Sequence, residues 1–234
     1  MTTPTHTVTC TRNLQIARDV YEFAFKKPEG CTFQPGQFVL FSVPLVENPL
    51  DLQPRAFSIA SSPDEKELLF VAKMKEGGRA SQWILELLKP ETTVFMQGPM
   101  GLFLLDHETL KDYLFICTST GVAPFRSMIR DVLLTGDKRR IDLVFGARAE
   151  EDLFWMKELE ELTKQYENFF LHLALSHLSE QWKGHRGRVQ TLVPQIVKDF
   201  SQKCVYVCGN PDMTKEVKGL CLEQWGMKKD DLHV

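Results

Sequence analysis

The sequence lacks clustered cysteines, and this argues against several classes of metal site. Its six cysteines are isolated, at positions 10, 31, 117, 204, 208 and 221. They form neither a C-x-x-C pair nor a C-x-x-x-x-C-x-x-C cluster, so we expect no zinc or iron–sulfur site and predict no metal site. Isolated cysteines in a large domain are typical of free thiols in a reducing cytoplasm, which is the expected location.

The sequence also lacks a membrane-spanning run, a signal peptide and a large net charge. No apolar stretch approaches the ~20 residues that cross a bilayer, and residues 1–6 (MTTPTH) contain no basic segment followed by an apolar one. The net charge of -3 gives no overall attraction to nucleic acid or anionic lipid. With 43% hydrophobic and 25% charged residues, the composition is that of a globular protein with one large or two small domains.

A further absence is the three-glycine fingerprint of dinucleotide-binding folds, yet residues 111–130 have a related layout. The apolar run 113–117 predicts a buried strand, residues 118–121 a polar turn, and Pro124 the start of a helix. Bare backbone N–H groups at such a helix start can bind a diphosphate. An ordinary strand–helix junction has the same pattern, so the turn alone does not identify a nucleotide site.

The first half of the chain predicts an antiparallel β-barrel. About six short alternating segments, each bounded by Pro, Gly or Asn, are typical of a closed barrel. One predicted helix, at residues 80–88, interrupts them. The predicted strands lie at residues 8–12, 20–25, 37–43, 55–61, 67–74 and 92–97.

Two stretches of this half suggest a ligand site. In residues 55–58, strand alternation puts Arg55 and Phe57 on one face, and a cation beside an aromatic ring suits a ligand with a phosphate and a flat ring. In residues 77–81 (GGRAS), glycines allow close backbone approach and the helix start favours an anion. Taken singly, an exposed arginine beside a core phenylalanine, and a flexible turn with a serine N-cap, explain these stretches as well.

The second half alternates strand and helix, which predicts a parallel sheet covered by helices on both faces. Ligands in such sheets bind at the carboxyl ends of the strands. A change of composition near residues 104–110 places the boundary, so we expect domains at residues 1–106 and 107–234. The turns at the carboxyl ends are predicted at residues 118–121, 146–148, 176–177 and 208–211.

With these segments in order, the chain resembles the ferredoxin–NADP reductase family of FAD-dependent oxidoreductases, in a single-component form without an iron–sulfur domain. Residues 55–58 resemble the family's R-x-Y-S flavin motif, with Phe57 in place of Tyr, and residues 78–81 resemble its G-x-x-S diphosphate turn. Each motif is only moderately specific, but six of them follow the family's order. The other four lie at residues 98–103 (GPMGLF), 120–124 (TGVAP), 145–148 (FGAR) and 208–213 (CGNPDM).

The resemblance implies that the first domain binds FAD. Arg55 would pair with the diphosphate, Phe57 would pack along the flavin, and Ser58 would hydrogen-bond near its redox-active nitrogen. Residues 78–81 would hold the diphosphate, and the strand from Val71 to Lys73 would lie along the FAD mainly through its backbone. The implied FAD-binding residues are Arg55, Ala56, Phe57, Ser58, Val71, Lys73, Gly78, Arg79, Ala80 and Ser81.

The resemblance further implies that the second domain binds NAD(P)H. Thr120 and Gly121 would receive the nucleotide, and Cys208 would lie against the nicotinamide carbon that gives up hydride. Ser58 and Cys208 are thus the candidate catalytic residues, although a buried strand-end thiol explains Cys208 without the family context. The implied nucleotide-binding residues are Thr120, Gly121, Val122, Pro124, Gly146, Arg148, Ser176, Cys208, Gly209, Asn210, Pro211 and Met213.

The implied activity is that of an FAD-dependent NAD(P)H oxidoreductase, which passes electrons from the nucleotide to a ferredoxin-like or oxygenase partner. Two alternatives stay open. A flavin reductase acting on free flavin would tend to lack the diphosphate turn, so residues 78–81 argue against it. An electron-transfer subunit of a larger complex would carry a cysteine cluster near its C-terminus, where only Cys221 is found.

Two departures from the family pattern affect these expectations. Members that use NADP often carry Ser-Arg where this chain has Ser176-His177, and a neutral His is a weaker partner for the extra phosphate. Together with acidic residues 150–152, this favours NADH slightly, although Arg148 could still hold a phosphate. Many members also end in an aromatic residue that covers the flavin. This sequence stops at His233-Val234, so we expect the flavin face to be open or to be covered by another segment or subunit.

Overall fold

The computed structural model describes residues 3–177 and 182–234. The chain forms two compact units. The first comprises residues up to Leu105 together with Ala123–Asp131, and the second comprises Asp106–Val122 and Val132–Val234. Within the described ranges, no helix is both long and apolar enough to cross a membrane.

The first unit contains one antiparallel sheet of six strands, in the order β4-β3-β6-β1-β2-β5. Just after β4, the N–H of Ala60 donates to the carbonyl oxygen of Leu69 in β5 at 2.8 Å, so the two edges of the sheet meet and the barrel expected from the sequence is confirmed. The strands are β1 (Thr5–Ala17), β2 (Val20–Lys26), β3 (Phe38–Leu45), β4 (Asn48–Ser58), β5 (Glu67–Lys73) and β6 (Thr93–Met100).

Aromatic rings fill the barrel. Strand alternation turns Phe23, Phe25, Phe41 and Phe70 inward, where all four are fully buried. The predicted helix begins as α1 (Arg79–Gln82) and continues as a π-helical turn, Trp83–Leu87, which adds the Trp83 ring to the cluster. These rings lie between 4.8 and 6.4 Å apart, within the distance range of favourable aromatic pairs.

Strand β4 begins seven residues before the start predicted from the sequence. Prolines at 49 and 54 concealed it, because proline removes a ladder hydrogen bond and argues against a central strand. In the structure β4 is an edge strand, where proline is tolerated, and it pairs with β3 from Leu45 opposite Asn48 to Phe38 opposite Ser58. The hairpin therefore extends well beyond the motif at residues 55–58.

The second unit is a parallel α/β fold, as predicted. Its sheet has the order β10-β9-β8-β7-β11-β12, and the apolar residues of its central strands pack under α4 and α5. The strands are β7 (Asp112–Thr118), β8 (Ile141–Ala147), β9 (Phe169–Leu175), β10 (His185–Arg186), β11 (Lys203–Cys208) and β12 (Leu232–His233). The helices of the chain after α1 are α2 (Val122–Leu134), α3 (Met156–Gln165), α4 (Val189–Ile196) and α5 (Pro211–Glu223).

A row of charged and polar side chains joins four neighbouring strands at the amino end of this sheet. Asp142 of β8 is 1% exposed and is hydrogen-bonded at 2.9 Å to both His172 and Arg140. The Nζ of Lys203 in β11 lies 3.2 Å from a carboxylate oxygen of Asp142 and from one of Asp112 in β7. Burial alone would raise the pKa of Asp142, but the bonds from His172 and Arg140 and the charge of Lys203 outweigh it and hold that pKa well below its ordinary range.

Replacing Asp142 should therefore destabilise the protein. Asp142→Asn leaves the buried Lys203 ammonium short of a counter-charge, so we expect the free energy of unfolding at neutral pH to fall by about 3–5 kcal/mol. Because the folded-state pKa is depressed, this stability is present above the ordinary carboxyl range and is lost as the pH falls below ~4. Urea unfolding at pH 7 and at lower pH measures both effects.

Asp112→Asn is the matched control, because Asp112 contacts the same ammonium but its side chain is 35% exposed. We expect a loss of about 1 kcal/mol or less for this variant. Equal losses in the two variants would contradict a central role for Asp142.

Candidate functional site

The predicted flavin motif lies at the end of edge strand β4. The Arg55 guanidinium donates to the carbonyl oxygen of Pro54 and to Oε1 of Gln53, both at 2.9 Å, and has no carboxylate partner among the described residues. Phe57 is half-buried, and its ring packs edge-on against the core ring of Phe23 at 5.4 Å. Ser58, also half-buried, is the last residue of the strand. The motif thus offers a cation whose charge is not neutralised.

The other expected flavin contacts lie on the two edge strands. Ala56 is exposed on β4, whereas Val71 is buried on β5 and Lys73 is exposed at the end of β5. Since the hydrogen bond between Ala60 and Leu69 joins these edges, residues from both strands belong to one side of the barrel.

The predicted diphosphate turn is a closed loop before α1. The N–H of Lys75 donates to Oγ of Ser81 at 2.8 Å, and the N–H of Gly78 donates to the carbonyl oxygen of Lys75 at 3.0 Å. A Cβ on Gly78 would lie 3.1 Å from that oxygen and 3.2 Å from Ser81 Oγ, so the loop favours glycine at this position. Ser81 therefore braces the loop and does not cap the helix, while Ala80 follows half-buried in α1.

Arg79 differs from Arg55 in having a carboxylate partner. Its Nη1 and Nη2 atoms lie 3.1 and 2.9 Å from the two carboxylate oxygens of Asp51 on β4, and Nη1 also donates to the Asp51 carbonyl oxygen at 2.7 Å. The hydrogen bonds from Arg79 lower the pKa of Asp51. Because Asp51 lies in the part of β4 that the sequence did not predict, this pairing was not foreseen. It fastens the hairpin to α1 and makes Arg79 a weaker candidate for binding phosphate than Arg55.

In the second unit, the turns that follow β7 and β11 pack against each other. A Cβ on Gly121 would overlap the backbone of Cys208, and one on Gly209 would overlap Oγ1 of Thr118. Gly209 also has φ +145°, which side chains rarely adopt. The N–H of Asn210 donates to Thr118 Oγ1 at 3.1 Å and holds the two turns together. Only glycine permits this approach, so packing of the two turns explains the glycines at both positions.

The helices at these two turns begin differently. Asn210 Oδ1 accepts hydrogen bonds from the N–H groups of Asp212 at 2.9 Å and Met213 at 3.3 Å, so α5 is already capped, with Pro211 as its first residue. A 3₁₀ turn, Ser119–Gly121, leads into α2 and has no side-chain cap. The half-buried Thr120 lies in that turn, and Val122 and Pro124 are buried at the start of α2. The uncapped turn is therefore the better candidate for binding a diphosphate.

Gly146 is also a point of close packing. A Cβ there would lie 2.6 Å from Cγ1 of Val189 in α4 and 3.1 Å from Cγ2 of Thr118. Packing of α4 against β8 therefore explains why position 146 is glycine, and the glycine does not by itself indicate a nucleotide contact.

A basic rim, defined here as Arg148, Arg186 and Arg188, lies at the carboxyl end of the outer strands. The strand ends are joined in a row: Ser176 N–H donates to the carbonyl oxygen of Ala147 at 3.2 Å, and Gly187 N–H to that of Leu175 at 2.8 Å. The three arginines are exposed and have no carboxylate partner within the described ranges. Arg186 and Arg188 were missed because β10 has only two residues; their alternation with glycine in GHRGRV was the available signal.

Two residues named for nucleotide choice lie beside this rim. His177 N–H donates to the carbonyl oxygen of Arg148 at 2.7 Å, and the His177 ring nitrogen Nδ1 is 3.2 Å from Ser176 Oγ. Asp152 is buried, and its carboxylate accepts from the N–H of Ala149 at 3.2 Å. Its negative charge is therefore directed at the backbone of its own turn.

Cys208, the second candidate catalytic residue, ends β11 opposite Cys117 of β7. Burial raises the pKa of the Cys208 thiol to about 11, so the group is protonated at neutral pH. A neutral thiol is a poor nucleophile and metal ligand, but it can pack against an aromatic ring. Its chemistry thus suits a positioning contact with a ligand.

Comparison with known proteins identifies both halves of the chain. The family model of the oxidoreductase FAD-binding domain matches residues 7–104, and that of the oxidoreductase NAD-binding domain matches residues 115–219. Among solved structures, the cytochrome P450 reductase GcoB of Amycolatopsis superposes with a TM-score of 0.88 at 25% identity, covering 99% of this chain and 70% of that one.

Two relatives illustrate the range of the family. Ferredoxin–NADP reductase B of Sorangium cellulosum is 34% identical over 224 residues, which are 92% of this chain and 90% of that protein. The glycine betaine monooxygenase reductase subunit of Pseudomonas aeruginosa is 31% identical over 223 residues, but these are only 60% of that protein. Since both domains match in order and the Sorangium reductase is similar over nearly its whole length, the chain belongs to the ferredoxin–NADP reductase family of FAD-dependent oxidoreductases.

Proposed function

We propose that the protein takes a hydride from NAD(P)H onto FAD and delivers electrons to a ferredoxin-like or oxygenase protein. The observation that supports the proposal is that each unit contains one group left available to an anion. Arg55 has no carboxylate partner among the described residues, and the turn Ser119–Gly121 lacks a side-chain cap. FAD and the nicotinamide nucleotides each contain a diphosphate that such elements bind. The relatives named as reductases supply the direction of electron flow.

The residues of the chain act by position in this proposal. FAD, when bound, supplies the redox chemistry, because its ring accepts a hydride and releases electrons. Ser58 would hydrogen-bond to the ring, and the protonated Cys208 thiol would pack against the nicotinamide. Gly121 and Gly209 would keep the two turns packed together at the nucleotide site. Holding both reactants in place makes the transfer effectively unimolecular.

The domain limits and location follow as further proposals. We infer an FAD-binding domain at residues 1–106 and an NAD(P)-binding domain at residues 107–234. We also propose the cytoplasm as the location, since all six cysteines are free thiols, which persist in reducing compartments.

The first test of the proposal is a visible spectrum of the purified protein. We expect a yellow FAD chromophore that survives gel filtration, loses its colour with anaerobic NADH or NADPH, and supports reduction of ferricyanide by the isolated chain. A colourless protein that reduces added flavin would instead indicate a flavin reductase. A yellow protein that neither nucleotide bleaches would indicate an electron-transfer subunit.

The two motif arginines should differ in their effect on FAD binding. Arg55→Gln removes an unneutralised cation, so we expect the Kd for FAD to rise about 10- to 100-fold. Arg79→Gln should change the Kd by less than about threefold and should lower stability, because the charge of Arg79 is already paired with Asp51. Fluorescence titration of the apoprotein with FAD measures both constants. A larger loss of affinity for Arg79→Gln would reverse the assignment.

The basic rim bears on the choice between the two nucleotides. The sequence favours NADH slightly through His177 and the acidic residues 150–152, and this stays a prediction. The rim argues the other way, because Arg148, Arg186 and Arg188 are cations without carboxylate partners in the described part of the chain, and Asp152 is buried. We infer that the rim can hold the additional phosphate of NADPH, so that both nucleotides are substrates.

Removal of a rim arginine should therefore affect NADPH selectively. For Arg188→Gln we expect kcat/KM for NADPH to fall about tenfold, while the value for NADH changes by less than about twofold. Lys138→Gln is the control, because Lys138 is an exposed cation before β8, at the opposite end of the sheet. Steady-state kinetics with both nucleotides measure these values. Equal losses of kcat/KM for NADH and NADPH in Arg188→Gln would contradict a phosphate contact. A tenfold preference of the wild type for NADPH would overturn the prediction that NADH is slightly favoured.

A further inference from the structure

Four adjacent strands of the first unit share an outer face without a charged side chain. The inward positions of three strands are known from their buried residues, which are Val39 and Phe41 of β3, Met96 of β6 and Val8 of β1. The pairing of β3 with β4 then shows which residues of β4 point inward. The outward positions are the even-numbered residues of 38–44 and 52–58 and the odd-numbered residues of 5–9 and 93–97. All are described by the structure, and none is Asp, Glu, Lys or Arg. We call this surface the uncharged face.

The uncharged face is continuous from one strand to the next. Ala56 of β4 lies opposite Leu40 of β3, Leu40 lies opposite Gln97 of β6, and Gln97 lies opposite Thr5 of β1. Directly opposed residues on neighbouring strands are close enough for their side chains to touch. The four strands therefore form one surface.

Large apolar side chains on this face are exposed. Leu52 is 50% exposed and Phe95 is 56% exposed. A quarter of the chain is charged, and charged residues are concentrated on protein surfaces, so a face of four strands without one is unusual. Contiguous exposed apolar surface of this kind marks a contact site.

The edge of β4 does not itself serve as a pairing site for another strand. Pro49 and Pro54 lack N–H groups, and proline on an edge strand discourages the addition of a strand from another molecule. The hairpin is also held in place by the ion pair between Asp51 and Arg79. The face of the sheet, and not its edge, is thus the surface available for contact.

The size of the face favours a transient partner. Strands lie ~4.8 Å apart and rise ~3.3 Å per residue, so the four segments cover roughly 400 Å². Docking would bury about 800 Å² in total, which is below the ~1,200–2,000 Å² of stable complexes and in the class of electron-transfer encounters. A permanent dimer of this chain would require a larger contact.

We propose that the uncharged face is where the electron-accepting protein docks, and that this protein meets it with an uncharged, apolar patch. The inference rests on the proposed function, and continuity supports it, since the face runs along β4 to Ser58 of the flavin motif. A partner seated there reaches the strand that carries the proposed flavin contact. Because neither surface is charged, docking is not steered by electrostatics and is insensitive to salt.

The test uses a [2Fe–2S] ferredoxin as the protein probe and ferricyanide as the small acceptor, with NADPH as the donor. Leu52→Lys and Leu52→Glu should each raise the KM for ferredoxin at least ~10-fold, because a charge of either sign would be desolvated without a partner. Ferricyanide reduction and FAD absorbance should be unchanged. The wild-type KM for ferredoxin should vary by less than about twofold between ~0.05 and ~0.3 M salt.

Leu14→Lys and Leu14→Glu are the matched controls. Leu14 lies on β1 beyond the uncharged face and is 53% exposed, which is close to the 50% of Leu52. These variants should leave the KM for ferredoxin within about twofold of wild type.

Four outcomes would overturn the inference. Two concern the KM for ferredoxin: opposite effects of Leu52→Lys and Leu52→Glu, and no effect of either. The third is a wild type that reduces ferricyanide but not ferredoxin. The fourth is a dimer, detected by sedimentation, that Leu52→Lys dissociates. The last would assign the face to a second copy of the chain. Failure of the wild type to reduce ferricyanide would instead refute the proposed function, so the two failures are distinguishable.

Discussion

The close approach of two backbone turns fixes the carboxyl end of the parallel sheet. Neither Gly121 nor Gly209 has room for a Cβ, and Thr118 Oγ1 accepts the hydrogen bond that holds the turns together. A side chain at either glycine would separate β7 from β11 at this end. The consequence is that the end of β7 and the Cys208 thiol at the end of β11 are held in a fixed position relative to each other.

The charged side chains at the two ends of this sheet differ in whether they have partners. At the amino end, Asp142 is buried and each of its charged neighbours lies within hydrogen-bonding distance, because an isolated charge removed from water would be very unfavourable. At the carboxyl end, the arginines of the basic rim stay in water without carboxylate partners among the described residues. Cations kept exposed and unpaired can bind an anionic ligand at little desolvation cost. The amino end thus has its buried charge paired, and the carboxyl end has cations available to an anion.

The sequence predicted the elements with strong periodicity and failed where the local signal was short or ambiguous. Strand β7 and helix α2 have long apolar patterns and were placed within two residues of their observed starts. The beginning of β4 was missed because its prolines argue against a strand unless the strand is known to lie at an edge. Because this part of β4 was not predicted, neither Asp51 nor its ion pair with Arg79 was predicted. That ion pair is what distinguishes Arg79 from Arg55. Pairing of side chains distant in the chain cannot be read from local pattern, so the sequence did not show that Arg79 has a carboxylate partner and that Arg55 has none among the described residues.

The protonated state of Cys208 fits the chemistry assigned to this end of the sheet. A thiolate beside a nicotinamide ring would be a strong nucleophile toward the oxidised, positively charged ring and could add to it. Burial next to Cys117 raises the pKa of Cys208 to about 11, so the thiolate is scarce at neutral pH. At the proposed site the residue would offer a contact, and hydride transfer between two rings requires no proton from the protein. An ordinary thiol is already mostly protonated at neutral pH, and burial of Cys208 lowers its thiolate fraction further.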